Sequence, residues 1–127
     1  MASHSESFRV AWVDTDAGRR IHFTAAFRWA EATETALWRK LGLLDFETGW
    51  PRRHVEAEYT RMLRFEDEVE VRLRVERVGT TSVTFSWDVV HDGAIAVTGR
   101  HTVVRLGDDG RAAPIDDHTR SLLERAD

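Results

Sequence analysis

Two aspartates, Asp14 and Asp16, stand between an apolar stretch and the start of a predicted helix, where carboxylates are well placed to do chemistry. The simplest interpretation is an Asx turn, in which a short carboxylate bonds nearby backbone N–H groups. The second interpretation is catalytic, because the amides at a helix N-terminus lack intrahelical partners and can stabilise a developing oxyanion. A carboxylate beside such amides is the minimum set of groups for acyl transfer.

Other kinds of site fit the sequence less well. The chain has no cysteine, which excludes thiol catalysis, disulfides and thiolate metal sites. It also has no Gly-x-Ser-x-Gly motif, so a serine–histidine triad is unsupported. A calcium loop that opens at Asp14 would need glycine and glutamate at positions occupied by Arg19 and Ala25. Because the six histidines show no ligand spacing, we expect no metal site.

The composition is typical of one folded domain over residues 1–127. Apolar residues make up 42% of the chain and charged residues 31%. A formal net charge of -4 gives no basic field for nucleic acid, and no apolar run approaches the roughly 18 residues of a membrane span. The first eight residues are polar and do not resemble a secretory signal. We therefore expect a cytoplasmic protein that binds neither nucleic acid nor membrane.

A helix that would supply the amides is predicted over residues 24–41. Its apolar residues recur at intervals of three or four, although Glu34 interrupts the apolar face. Thr24 is a suitable N-cap, and Gly42 is a typical residue to end a helix. About 18 residues rising about 1.5 Å each give a helix of about 27 Å, which is long enough to cross a sheet.

Strands are predicted on both sides of this helix, from the alternation of apolar and polar residues over 8–13, 55–60, 68–76, 83–89 and 95–106. One helix cannot bury its apolar face alone, and five antiparallel strands supply a surface to receive it. The sequence therefore predicts an α+β fold, with a five-stranded antiparallel sheet wrapped around one long central helix. A short amphipathic helix is predicted in residues 116–127.

Three segments near the aspartates carry a family resemblance: WVDTDAG at 12–18, IHF at 21–23 and FRWAE at 27–31. They resemble the 4-hydroxybenzoyl-CoA thioesterase family and its YbgC-type acyl-CoA thioesterase relatives, whose fold is the hotdog. Weaker similarity through residues 54–59 and 78–82 extends the resemblance over nearly the whole chain. Two positions depart from the pattern, since Arg19 replaces a frequent glycine and Phe23 replaces the histidine of YbgC-type members.

The resemblance implies hydrolysis of an acyl-CoA thioester. Asp16 would act as nucleophile, through a mixed anhydride, or as general base on water. The backbone amide of Phe23 would donate to the oxyanion, and Asp14 matches the more structural aspartate of the family. The resemblance also implies a homodimer or homotetramer with active sites between subunits, which agrees with a free sheet edge that invites pairing. It implies no cofactor, because coenzyme A is part of the substrate.

Further residues are candidates for binding the substrate. Some flank the proposed oxyanion donor, and the arginines can bind phosphate by paired hydrogen bonds. Trp29 or Trp50 is the candidate for lining the acyl pocket. The hydroxyl residues that follow Gly79 can bond pantetheine or phosphate groups. The predicted substrate-binding residues are His22, Thr24, Trp29, Arg52, Arg53, Thr80 and Ser82, with Arg61 and Arg64 as further arginines. Each of them has an alternative explanation as an ordinary core or surface residue.

Two other functions remain open at this level. The chain could act on a thioester held by an acyl carrier protein, or it could bind acyl thioesters without hydrolysing them. A hotdog hydratase would need a histidine paired with a carboxylate in one site, which the spacing does not clearly supply. The sequence does not identify the acyl group.

Overall fold

The described part of the chain forms a five-stranded antiparallel sheet and two α-helices. The computed structural model describes residues 1–44 and 49–126. In chain order the elements are β1 (Ser3–Arg9), α1 (Ala25–Lys40), β2 (Arg52–Tyr59), β3 (Glu68–Val78), β4 (Ser82–His91), β5 (Ala94–Val104) and α2 (Asp117–Glu124). The strand order in the sheet is β1-β3-β4-β5-β2, and every neighbouring pair is antiparallel. The predicted antiparallel sheet of five strands is confirmed, and β1 and β2 lie at its edges.

Helix α1 packs on one face of the sheet through aromatic residues. The ring of Phe27 meets Trp87 of β4 edge to face, with 5.8 Å between centroids. The ring of Trp38 meets Phe85 of the same strand in the same way, also at 5.8 Å. Such edge-to-face pairs are the favoured geometry for aromatic rings. They fix α1 against the middle of the sheet at two points along its length.

The ends of α1 lie close to their predicted positions, and the helix has 16 residues. Thr24 occupies the N-cap position, but its hydroxyl makes no capping hydrogen bond. Gly42 has a φ of +72°, and the N–H of Leu43 bonds back to the carbonyl of Trp38 at 2.8 Å. This is the Schellman arrangement that a glycine after the last turn allows. The predicted short helix at the C-terminus is α2, so α1 is not the only helix of the fold.

The first strand lies earlier in the chain than predicted. β1 ends at Arg9, and residues Trp12–Asp14 form a single 3₁₀ turn. Trp12 and Val13 are 72% and 82% exposed, so the alternation over 8–13 does not describe a strand. Of the predicted range only Phe8 and Arg9 belong to the strand, which begins at Ser3 and pairs with β3 at the edge of the sheet. At an edge, ladder hydrogen bonds can form without a regular apolar face.

Glycine at position 99 permits an unusual packing of the β4 tryptophan. A Cβ atom on Gly99 would lie 2.1 Å from a ring carbon of Trp87. The indole therefore lies across β5, where its Nε1 donates to Nδ1 of His101 at 3.1 Å. The Nδ1 atom thus accepts, and the ring proton of His101 is on Nε2.

Glu34 interrupts the apolar face of α1 because it is the centre of a buried polar cluster. Its Oε1 accepts from Nε2 of His101 at 2.8 Å and from Arg52 at 2.5 Å, and its Oε2 accepts from Trp38 at 2.8 Å. Burial by itself would raise the pKa of Glu34. The hydrogen bond from His101 and the charge of Arg52 outweigh burial and hold the pKa below its ordinary value. We call these residues, with Trp87, the Glu34 cluster.

Candidate active site

The loop between β1 and α1 presents Asp16 at the surface. Its Oδ1 accepts from the N–H of Gly18 at 2.8 Å, which is an Asx turn. Oδ2 has no hydrogen-bond partner within residues 1–44 and 49–126, so one carboxylate oxygen stays available. Arg19 has a φ of +63°. The left-handed conformation that favours glycine is thus present, although a side chain occupies the position.

Asp14 has a structural role, in agreement with its predicted one. It is buried, and its Oδ2 accepts from the N–H of Ala11 at 2.9 Å. Its Oδ1 accepts from Arg28 of α1 at 3.0 Å, and its carbonyl accepts from the N–H of His22 at 2.7 Å. Asp14 therefore ties the loop to the first turns of the helix and holds both ends of the segment that contains Asp16.

The amide of Phe23 is the open donor at the start of α1. On one side of it, the N–H of His22 bonds to Asp14, and the carbonyl of His22 accepts from Ala25 at 2.9 Å. On the other side, the N–H of Thr24 bonds to Nδ1 of His22 at 3.2 Å. Among the described residues, the N–H of Phe23 has no acceptor. A fixed turn with one unused amide is the arrangement that an oxyanion donor requires.

A set of side-chain bonds fixes the ring of His22. Its Nδ1 lies 2.7 Å from the hydroxyl of Thr24, and this hydroxyl accepts from Arg28 at 2.8 Å. Because Nδ1 also accepts from the Thr24 amide, the ring proton is on Nε2. The ring stacks near Phe23, with 4.5 Å between centroids. His22 and Thr24 thus shape the turn that holds the Phe23 amide.

Asp16 and Phe23 line the same surface cavity, which has a volume of about 400 Å³. Its walls come from the loop before α1 and from the segment that follows β2. The other lining residues are Arg20, Ile21, Tyr59, Thr60, Arg61, Met62 and Leu63. A pocket with apolar walls and a few polar groups is typical of a small-molecule site. The structure therefore brings the predicted carboxylate and the predicted amide donor together.

Two arginines at this cavity could meet an anionic substrate. Arg20 and Arg61 both line it and both are exposed. No ion pair within the described part of the chain involves either of them. Arg61 was a secondary candidate from the sequence, whereas Arg20 was not identified because nothing local sets it apart from other surface arginines.

The other predicted substrate-binding residues lie away from this cavity within one chain. Trp29 is 5% exposed and stacks on Phe8 with 6.3 Å between centroids. Arg52 belongs to the Glu34 cluster, while Arg53 lies on a separate surface groove beside His54.

Of the hydroxyl residues, Thr80 lies in the turn between β3 and β4, and Ser82 is the first residue of β4. There the N–H of Gly79 bonds to the carbonyl of Ser82 at 2.7 Å, and the carbonyl of Thr80 accepts from Ile115 at 2.9 Å. A single chain does not bring these groups to Asp16.

Tyr59 is a cavity residue that the sequence analysis did not identify. It is the only tyrosine of the chain and the last residue of β2. Its hydroxyl donates to the carbonyl of Phe23, which lies 36 residues earlier. No local pattern could have revealed this contact, because it joins the end of an edge strand to the start of a helix.

Two kinds of feature are not found in the described residues. Within 1–44 and 49–126, no group of three or more histidine, aspartate or glutamate side chains could hold a metal ion. Neither helix described there has the length and apolar character needed to cross a membrane.

Comparisons with known proteins give consistent results. Residues 18–98 match the model of a family described as the thioesterase superfamily, a segment that begins two residues after Asp16. A predicted thioesterase from Bacillus stearothermophilus is 27% identical with a TM-score of 0.87, and the match covers 96% of this chain and 94% of that one. No functionally curated sequence matches.

Two more distant solved structures share the fold. One is a gentisyl-coenzyme A thioesterase, 21% identical, with a TM-score of 0.84 and coverage of 95% and 99% of the two chains. The other is a 1,4-dihydroxy-2-naphthoyl-CoA thioesterase from Synechocystis, 11% identical, with a TM-score of 0.88 and 96% coverage of both. The sheet of five strands with two helices is the architecture of the hotdog thioesterases.

Proposed function

This chain belongs to the thioesterase superfamily and is a thioester hydrolase, and from that premise we propose that it hydrolyses acyl-CoA thioesters with Asp16 as the catalytic carboxylate. The observation behind the proposal is that Asp16 and Phe23, the residue with the unbonded amide, line one cavity. The carboxylate has a free oxygen, and the amide is held by bonded neighbours on both sides. These are the two groups that acyl transfer from sulfur needs.

The proposed reaction places the thioester carbonyl between these groups. The carbonyl oxygen accepts from the Phe23 N–H, which stabilises the negative charge of the tetrahedral intermediate. In one form, Asp16 attacks the carbonyl carbon, the thiolate leaves, and water then hydrolyses the mixed anhydride. In the other form, Asp16 takes a proton from water as the water attacks, and the thiolate leaves and is protonated. Both forms release a carboxylic acid and a thiol.

The phosphates of the substrate would meet Arg20 and Arg61, which line the cavity and have no carboxylate partner in the described part of the chain. Arginine suits this role because its guanidinium donates paired hydrogen bonds to phosphate. Arg52 is a weaker candidate, since it is bonded to Glu34. A phosphopantetheine group is common to coenzyme A and acyl carrier proteins, so the carrier protein is the alternative donor. No cofactor beyond the substrate is needed for this chemistry.

We further propose that the active form is a homodimer or a larger homo-oligomer. β2 is an edge strand in which every residue except Ala57 is exposed. Val55 and Tyr59 on this strand are exposed, and so are Phe23 and Met62, which line the cavity together with Tyr59. An uncovered strand edge with apolar side chains favours pairing with a second chain.

Such pairing would place the cavity at a subunit interface. Four of the predicted substrate-binding residues do not line the cavity that contains Asp16 in their own chain. We propose that they bind substrate only in the active site of a partner subunit: Trp29, Arg53, Thr80 and Ser82. In this assembly α1 would be the central helix around which the sheet of the hotdog fold wraps. The domain would comprise residues 1–127. We expect the protein to act in the cytoplasm.

The test measures hydrolysis of a panel of acyl-CoA and acyl-carrier-protein thioesters. The readout is the amount of free thiol released. We expect the Asp16→Asn variant to lose about 100-fold or more in kcat, with unchanged folding and substrate affinity. Asp109→Asn is a matched control, because Asp109 forms the same kind of turn by accepting from the N–H of Arg111 at 2.9 Å, outside the cavity. Equal turnover by the Asp16 variant and the parent would refute the assignment.

A second pair of variants tests the oxyanion donor. Phe23→Pro removes the N–H at a position just before the helix, where proline is tolerated, and Phe23→Ala removes the ring but keeps the N–H. Loss of one oxyanion donor typically costs about 100-fold or more in kcat. The proline variant should therefore be far slower than the alanine variant. Similar rates for the two would show that the amide is not used.

A further inference from the structure

Tyr59 joins the edge strand β2 to the turn that holds the proposed oxyanion donor. Its hydroxyl donates to the carbonyl of Phe23, and its side chain lines the cavity that contains Asp16. The tyrosine is 43% exposed, so it is not a core residue whose position is set by packing alone. Its hydroxyl oxygen contacts the residue whose N–H is the open donor of the site.

The carbonyl of Phe23 depends on Tyr59 for a donor. The first bond of the helical kind at the start of α1, between residues four apart, runs from the N–H of Arg28 to the carbonyl of Thr24, at 3.2 Å. The Phe23 carbonyl lies one residue before this acceptor and receives no backbone N–H from the described residues. Tyr59 supplies the bond that the helix does not.

The N–H of Phe23 lies in the peptide plane that joins His22 to Phe23. The next plane, which joins Phe23 to Thr24 and contains the Phe23 carbonyl, meets the first plane at the Cα atom of Phe23, so a shift of the second plane acts on the first through the φ and ψ angles of Phe23. The first plane is held at its oxygen by one bond, from Ala25 to the carbonyl of His22 at 2.9 Å, and its N–H has no acceptor among the described residues. The plane after Phe23 is held at its nitrogen by the longer bond of 3.2 Å from Thr24 to His22, and at its oxygen by Tyr59. Without the hydroxyl, the second plane keeps only its weaker anchor.

We propose that Tyr59 is the positioning residue of the oxyanion donor, and that its hydroxyl holds the Phe23 peptide so that the neighbouring N–H points to the thioester oxygen. This inference rests on the proposed function, because it assumes that the Phe23 amide is the donor. Tyr59 acts through Phe23 and needs no contact with the reacting atoms. A preorganised donor loses no energy to reorientation when charge develops, so the effect appears in the transition state.

The phenol must be protonated to donate, and its surroundings favour that form. Burial raises the pKa of Tyr59 above its ordinary value. The charged groups that line the same cavity are Asp16, Arg20 and Arg61. Since a raised pKa keeps the hydroxyl neutral through the physiological range, the bond to Phe23 persists wherever the enzyme works.

The first experiment compares the parent enzyme with Tyr59→Phe on its best thioester. We expect kcat to fall about tenfold, which corresponds to about 1.4 kcal/mol, and KM to change by less than about twofold. The loss should be smaller than that of Phe23→Pro, because the amide is still present but less well directed. An unchanged kcat, or a change confined to KM, would overturn the proposal.

The second experiment uses the fact that the chain has one tyrosine. Biosynthetic replacement by 3,5-difluorotyrosine changes only position 59, keeps the hydroxyl, and lowers the phenol pKa. At low pH the fluorinated enzyme should match the parent, and above the new phenol pKa its kcat should fall about tenfold towards the level of Tyr59→Phe. A tyrosine that only fills space would give the same pH profile before and after fluorination, which would refute the role in catalysis.

The third experiment does not depend on turnover. Protein labelled with ¹⁵N-phenylalanine gives signals from six residues, and the Phe23→Leu variant identifies the signal of Phe23. Tyr59→Phe should shift that signal and leave distant phenylalanines unchanged. If the parent hydrolyses no thioester, the proposed function fails while this measurement still decides whether Tyr59 holds the peptide. An unshifted Phe23 signal would exclude the contact, and the fluorinated protein provides the same comparison if Tyr59→Phe does not fold.

Discussion

Replacing Glu34 by alanine removes the acceptor at the centre of the Glu34 cluster. In the parent, the carboxylate accepts from His101, Trp38 and Arg52 at 2.8, 2.8 and 2.5 Å. His101 is 2% exposed and Trp38 is 5% exposed, so water cannot readily replace the lost acceptor for either of them. The side chain of Arg52 is 30% exposed and can be rehydrated.

The expected loss of stability follows from these donors. A buried donor left without a partner costs about 1–3 kcal/mol, and breaking a buried charge pair costs about 3–5 kcal/mol in all. Glu34→Ala leaves the buried donors of His101 and Trp38 without an acceptor, while solvent reduces the contribution of the exposed Arg52 ion pair. We therefore expect the free energy of unfolding to fall by about 3–5 kcal/mol at pH 7. This would be a large part of the stability of a domain of this size.

The effect should also depend on pH, in a direction set by the lowered pKa of Glu34. A carboxyl whose pKa is depressed in the folded state stabilises the fold at pH values above its unfolded pKa. That stabilisation is lost as the pH falls through the folded value, below the ordinary 4.5. The difference in free energy of unfolding between the parent and Glu34→Ala should therefore be greatest near neutral pH and should become smaller in acid.

The measurement is urea unfolding followed by tryptophan fluorescence at fixed protein concentration, at pH 7 and through the acid range. Glu31→Ala is the matched control, because its side chain is 63% exposed and only 3.5 Å from the same arginine. It should cost less than about 0.5 kcal/mol. The predicted role of Glu34 would be refuted if Glu34→Ala lowered the free energy of unfolding by less than about 1 kcal/mol. It would also be refuted if the difference in that free energy between parent and variant did not become smaller in acid.

Three further predictions concern packing and the loop. Gly99→Ala should destabilise the fold by about 3 kcal/mol in urea unfolding, because the new Cβ would displace the ring of Trp87 from 2.1 Å; a loss under about 0.5 kcal/mol would contradict this. Arg28→Gln should lower kcat in the thiol-release assay and lower the free energy of unfolding by about 1 kcal/mol, because the buried carboxylate of Asp14 loses one donor. Unchanged kinetics would argue against a role of Arg28 in holding the loop. Asp116→Ala should lower the thermal midpoint through a loss of about 1 kcal/mol, because its side chain caps α2, and an unchanged midpoint would show that the cap is dispensable.

Much of the architecture could be predicted because buried residues recur at the period of the strand or helix that contains them, and neighbouring residues in the sequence show that period. The alternation in β3 to β5 marks one buried face, and the spacing of three and four in α1 marks another. Gly42 indicated the helix end because a left-handed residue is needed there. The placement of Asp16 and Phe23 on one cavity was also predictable, since only a few residues separate them and the family resemblance covers both.

The first strand was misplaced for a physical reason. An edge strand is held by backbone bonds to β3, and its side chains need not alternate between core and water. The alternation continues past Arg9, where β1 ends, and so predicted a strand over 10–13, where the chain leaves the sheet and enters a 3₁₀ turn. Arg52, expected at a phosphate, proved to be bonded to Glu34, because a buried carboxylate requires a cation wherever the fold provides one.

The amino-acid sequence by itself determined the order of the elements, the faces they bury and the carboxylate at the helix start. Only the tertiary structure decided which polar atoms meet: His101 with Glu34 across 67 residues, and Tyr59 with Phe23 across 36. Hydrophobic burial is non-directional and depends on residue type, so a pattern can encode it. A hydrogen bond needs two particular atoms within about 3 Å at a suitable angle, and that coincidence exists only after distant segments have packed together.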